Sequence, residues 1–123
     1  MRALQGGIPR GPFDGRSVEG RLYAGHVRAL LDRLGPLPRG ARPTLQAWGV
    51  LTVDLERQAA NLQRAISRRR VREATRIRRQ LTAMRTQLLA LERRLEEVAQ
   101  AHQSAPTGPV SATEFARGLG GRQ

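Results

Sequence analysis

Apolar residues recur along this chain in steps of three and four, the spacing of one face of a helix. Val18, Leu22, Val27, Leu30, Leu31 and Leu34 form the first such set. Ser17 carries the oxygen acceptor an N-cap needs, and Gly35-Pro36 is a stop signal, so a first helix is predicted over 17–34. Leu37-Pro38-Arg39-Gly40 reads as a connector. Pro43 suits the opening turn of a second helix, where its missing N–H is not needed. That helix is predicted over 43–66, with Leu45, Trp48, Thr52, Leu55, Ala59, Leu62 and Ile66 at heptad spacing. A third is predicted over 71–102, where Ala74, Ile77, Leu81, Met84, Leu88, Leu91, Leu95, Val98 and His102 alternate three and four without a break.

The last two stripes are out of phase by one residue. Continuing the second from Ile66 would place Arg69, Glu73 and Arg76 on the seam, whereas the apolar set resumes at Ala74 and Ile77. Two arrangements fit: an antiparallel helical hairpin turning near 67–70, or one long helix with a stutter there. The hairpin is preferred because it buries both stripes within one chain. The expected fold is therefore all-α, an antiparallel coiled-coil hairpin preceded by a shorter helix. The third helix outruns the second by about 12 Å at 1.5 Å per residue. Helix one is expected to cover part of that excess, and the seam Ile77, Leu81, Met84, Leu88, Leu91, Leu95 and Val98 to find the rest of its cover in a second copy, making a homo-oligomer.

The two ends have a different texture. Residues 1–16 are rich in Gly and Pro and are expected to form a flexible basic arm. They lack the apolar core of a secretory signal, and their glycines and prolines oppose the amphipathic helix of a transit peptide. Residues 103–123 read as a loose tail. Within it Ser111 and Glu114 have capping-box spacing, and Phe115 and Leu119 would share one face of a short helix over 112–118. Such a helix is marginal alone. Its alternatives are a fraying turn and a docking peptide that folds on a partner.

Charge changes the picture. The chain has 123 residues and a net charge of +12, and all 22 of its basic residues are arginine. A GC-rich coding sequence accounts for the missing lysine, so the position of the arginines is the informative feature. Between 64 and 85 stand Arg64, Arg68, Arg69, Arg70, Arg72, Arg76, Arg78, Arg79 and Arg85 against Glu73 alone, a local charge of +8 and two thirds of the total. A solvated helix face normally mixes both signs at i, i+4. Here Arg64–Arg68, Arg68–Arg72 and Arg72–Arg76 are like-charge pairs at that spacing, which asks for a compensating anion. Phosphate backbones supply one, and arginine meets phosphate with two hydrogen bonds. Arg64, Arg68, Arg69, Arg70, Arg72, Arg76, Arg78 and Arg79 are therefore candidate nucleic-acid contacts. An acidic protein or an RNA-bearing assembly is the other kind of partner such a patch fits.

Other chemistries fare poorly. There is no cysteine for disulfides, Cys-ligated zinc or thiol catalysis, and His26 and His102 offer no metal-ligand spacing. A phosphate-binding loop that needs lysine is excluded, and no serine has a His/Asp arrangement nearby. No metal, cofactor or catalytic residue is expected. Four aromatic residues, Phe13, Tyr23, Trp48 and Phe115, are too few for a base-stacking platform. No apolar run approaches the length that spans a bilayer, so no membrane is expected as a partner. The connector 35–42 is too long and proline-rich for a helix-turn-helix.

Asp14-Gly15-Arg16-Ser17 opening a helix, Arg21-Leu22-Tyr23 in its first turns, Leu34-Gly35 closing it and a long basic hairpin after it form a loose pattern over residues 14–100. In this the chain resembles small terminase proteins of tailed phages, prophages and gene transfer agents. The resemblance implies a non-enzymatic subunit that forms a ring, binds DNA in the cytoplasm of a bacterial host, and hands it to an ATP-driven large subunit for packaging. Phe115 and Leu119 would then be candidate contacts to the large subunit. The rival expectation is a structural or adaptor coiled-coil protein of a particle or ribonucleoprotein assembly, and a third is a nucleoid-type DNA coater.

Overall fold

The first helix, α1, covers Val18–Leu34. The structure, a computed structural model, describes residues 11–104. Ser17 caps α1 by accepting the Gly20 N–H at 3.0 Å, and its hydroxyl donates to the Asp14 carbonyl at 2.6 Å. Asp14 also takes the Arg16 N–H on its side chain at 3.0 Å. Phe13 lays its ring 6.1 Å from that of Tyr23. Residues 13–16 of the expected arm thus meet α1 through a turn and an aromatic contact. Residues 1–10 lie outside the described residues.

Gly35, at φ 82, ends α1 with its N–H on the Leu31 carbonyl. A 3-10 turn at Arg39–Ala41 leads into α2, Arg42–Ser67, with Pro43 at its start as the sequence predicts. After a tight turn α3 runs over Val71–Ser104. The helices α2 and α3 pack along each other as the expected hairpin, with α1 against the half of α2 remote from the turn. Among the described residues no helix is long and apolar enough to cross a membrane.

Two clusters form the core. The larger joins all three helices and the connector through Tyr23, Val27, Leu30, Leu31, Leu37, Leu45, Trp48, Val53, Leu95 and Ala99. The smaller holds only the hairpin end, by Ala65, Ala74, Ile77 and Leu81 with Leu55 and Leu62 against it. Gly49 lets α1 and α2 approach closely: a Cβ there would stand 2.5 Å from Tyr23 Cε1 and 2.8 Å from Val27 Cγ2.

The buried stripes drift from the heptads. In α1, Val18 and Leu22 are exposed, and Tyr23 is buried instead. In α2, Ile66 is exposed and Ala65 takes the inward place. The inward face of α2 is set by two neighbourhoods: Leu45, Trp48 and Val53 pack in the cluster shared by all three helices, whereas Ala65 packs with Ala74, Ile77 and Leu81 of α3, so one seven-residue register does not run the length of the helix.

Part of the expected oligomer seam is occupied within the chain. Ile77, Leu81 and Leu95 are buried within the chain. Leu88, Leu91 and Val98 are half-buried against the larger cluster, and Met84 is half-buried. The extra length of α3 is covered by α1 and the connector. Arg33 on α1 reaches Glu92 at 3.4 Å and Glu96 at 3.1 Å, and Trp48 Nε1 donates to Glu92 at 3.2 Å. Gln103 Nε2 donates to the Leu34 carbonyl at 2.7 Å. These side chains make their contacts inside one chain, and the exposed large apolar residue on that stretch of α3 is Leu89.

Candidate nucleic-acid interface

The arginine-rich segment is the closed end of the hairpin, built from the last turn of α2, the turn itself and the first turns of α3. The backbone there is a Schellman arrangement. Arg70 N–H bonds the Ala65 carbonyl at 2.9 Å, and Arg69 N–H bonds the Ile66 carbonyl at 3.0 Å. Such a turn needs one residue in the left-handed region, the place where glycine normally stands. Here it is Arg69, at φ 56, the described non-glycine residue with positive φ. No glycine or proline marks this turn in the sequence, and this is the reason: an arginine occupies the glycine position.

Arg70 then starts α3, its carbonyl accepting the Ala74 N–H at 2.9 Å. An arginine side chain has no acceptor with which to cap the first amides of the helix. The positive end of a 34-residue helix therefore opens among like charges. Glu73 in the first turn offsets part of this, and its carboxylate lies 3.4 Å from Arg70 Nη1. The Arg64 guanidinium is held by the side-chain carbonyl of Asn61.

All eight candidate arginines are exposed, but they do not share one face. Arg64, Arg68, Arg70 and Arg76 line a cleft of about 250 Å³ on one flank of the hairpin end, together with Asn61 and Glu73. Arg69 and Arg78 belong to the opposite flank, where with Arg70, which borders both, they rim Ala65, Ile66, Val71 and Ala74. Arg72 and Arg79, seven residues apart, share the side of α3 turned away from α2, as helical geometry requires with Ile77 facing inward. The supposed helical pair Arg68–Arg72 is split by the turn: Arg68 closes α2, and Arg72 belongs to α3. Repulsion survives between Arg64 and Arg68 and between Arg72 and Arg76.

Beyond the hairpin end the charge is mixed and paired. His26 meets Glu56 at 2.7 Å between α1 and α2, and Arg57 lies 3.8 Å from Asp54. Burial pushes the Tyr23 phenol above its ordinary pKa, and the nearby Arg42 works against that shift. Sequence reasoning missed the clamp residues Arg33, Glu92, Glu96 and Gln103, because a heptad reading sees only the seam and not its flanks. The docking candidates Phe115 and Leu119 lie outside the described residues. No family profile, curated protein or solved structure matches the chain.

Proposed function

We propose that this chain binds nucleic acid, duplex DNA foremost, through phosphate contacts at the closed end of its hairpin. The carrying observation is that destabilising features gather at this one place. An arginine holds the left-handed position, the positive end of α3 opens there, and Arg64–Arg68 and Arg72–Arg76 repel. Strain and like charge of this kind persist where function repays them. An anion offsets the charge at each of these points, and a phosphate backbone presents anions in series.

Arginines pointing in three directions favour backbone contact over base readout, since no helix face presents a row of side chains to a groove. We further propose, on the resemblance to small terminase proteins, a non-enzymatic role in which the chain engages DNA for an ATP-driven packaging partner. A ring of subunits would then draw on surface beyond Ile77, Leu81 and Leu95, which are buried within the chain. The test is fluorescence anisotropy of a labelled duplex against salt. With about four to six phosphates met, affinity should fall roughly a hundred- to a thousandfold between 50 and 200 mM salt. Absent or salt-insensitive binding would rule the proposal out. Tighter binding to single- or double-stranded RNA than to DNA at equal salt would favour the ribonucleoprotein alternative.

A further inference from the structure

We infer that the cleft on one flank of the hairpin end is a discrete phosphate pocket, with Glu73 as its internal competitor. This rests on the nucleic-acid reading above and assigns its central contact. The two flanks differ in chemistry. One is mostly apolar, with Ile66 43% and Val71 74% exposed, no carboxylate in its lining, and Arg69, Arg70 and Arg78 around it. The other brings four guanidinium groups from both helices around one space: Arg64 and Arg68 from the end of α2, Arg70 from the turn, Arg76 from α3.

The sole carboxylate between residues 64 and 85 stands in that same space. Its Oε2 is 3.4 Å from Arg70 Nη1, long for a bond between full charges, and the two side chains remain 38% and 59% exposed. Glu73 thus occupies the cleft as a loosely held anion. One carboxylate against four guanidiniums leaves a local excess of positive charge. A phosphate oxygen has the chemistry to displace the carboxylate from Arg70 and to take two-pronged bonds from the other arginines. The shared ligand chemistry is a phosphate group, either in a nucleic-acid backbone or free in solution.

The test uses the full chain, a labelled blunt duplex without terminal phosphates, and inorganic pyrophosphate as the free-anion probe. Glu73→Gln is compared with Asp32→Asn, which changes the net charge equally on α1, away from the cleft. Glu73→Gln should tighten duplex binding about three- to tenfold, and Asp32→Asn by less than about twofold. The double variant Arg64→Gln/Arg76→Gln should lower the salt slope by about 2 and lose at least about tenfold more affinity than Arg72→Gln/Arg79→Gln. Pyrophosphate should compete with the duplex for the wild-type chain and for Arg72→Gln/Arg79→Gln, but poorly for the cleft double variant. Unchanged circular dichroism and melting would certify each fold. If Glu73→Gln matches Asp32→Asn, or both double variants lose affinity equally, the pocket is overturned while DNA binding by a diffuse patch stands. If the duplex does not bind but pyrophosphate does, more tightly with Glu73→Gln, the pocket stands as a free-phosphate site and the nucleic-acid reading falls. Binding of neither probe overturns both.

Discussion

Replacing Arg69 by glycine should make the protein more stable and a weaker nucleic-acid binder. The backbone at Arg69 has φ 56, where a Cβ crowds the neighbouring carbonyl. That crowding costs about 1–2 kcal/mol for an L-residue. Glycine removes it but enlarges the freedom of the unfolded chain, an opposing term of about 0.4–1 kcal/mol. The net expectation for Arg69→Gly is a gain of roughly 0.5–1 kcal/mol, which raises the melting temperature by a few degrees for a chain of this size. Arg69→Ala separates the causes. It deletes the same charge but keeps the Cβ in the left-handed region, so its stability should stay within about 0.5 kcal/mol of wild type. Urea denaturation followed by circular dichroism measures both differences. Duplex binding should weaken alike in the two variants, with the salt slope reduced by about 1 in each if Arg69 meets a phosphate. Equal stability of the Gly and Ala variants, or a less stable Gly variant, would refute the claim that this turn stores backbone strain. Unaltered binding in both would remove Arg69 from the interface.

Three further outcomes check the fold. Leu95→Ala should cost about 2–4 kcal/mol in urea denaturation, because Leu95 is fully buried between the helices, and a loss below about 1 kcal/mol would remove it from the core. Gly49→Ala gains up to about 1 kcal/mol of helix propensity but drives a methyl into Tyr23 and Val27, so a net loss of about 1–2 kcal/mol is expected in denaturant titration, and a net gain would contradict the close α1–α2 approach. The Tyr23 phenol is held above its ordinary pKa by burial, so the folded state binds the proton more tightly than the unfolded state does. Its contribution to stability is therefore complete below about pH 10 and is lost as pH rises beyond it. Tyr23→Phe should show a flatter loss of stability on alkaline titration, and an identical slope in both proteins would remove Tyr23 as its source.

The hairpin was legible because periodicity is a local signal that tertiary packing seldom overrides in long helices. Ser17, Gly35 and Pro43 mark three helix ends by their own chemistry, and the structure places them there. The turn at 67–70 was legible only as a break in phase. Arg69 occupies a position whose usual residue is glycine, so the composition cue was missing where the geometry needed it. Heptad counting named Ile66 as buried when Ala65 is, because α2 packs in the three-helix cluster over its first half and against α3 alone near the turn. It left Leu88 to Val98 to be shared between helix one and a second copy, without naming the contacts. Within the chain α3 is clamped there and at its end by Arg33, Trp48 and Gln103, in pairs 44 to 69 residues apart in sequence. Such pairings depend on how α1 folds back, which no local pattern encodes. Of the candidate interface, the arginines themselves were legible. Their division among three directions was not, because it depends on where the turn falls.

The division of the core into two clusters gives the molecule a gradient of local stability. Where three helices meet, opening one amide requires parting Leu45, Val53 and Leu95 from several neighbours. At the hairpin end the inward residues nearest the turn are Ala65 and Ala74, whose methyls bury little surface. Backbone hydrogen bonds there should break and reform without global unfolding, and their hydrogens should exchange early. An anion seated at that end removes repulsion and slows the opening. Occupancy should therefore register as exchange protection over residues 64–79, with the amides of α1 unchanged, so the fold carries its own reporter of ligand binding at the end where the ligand sits.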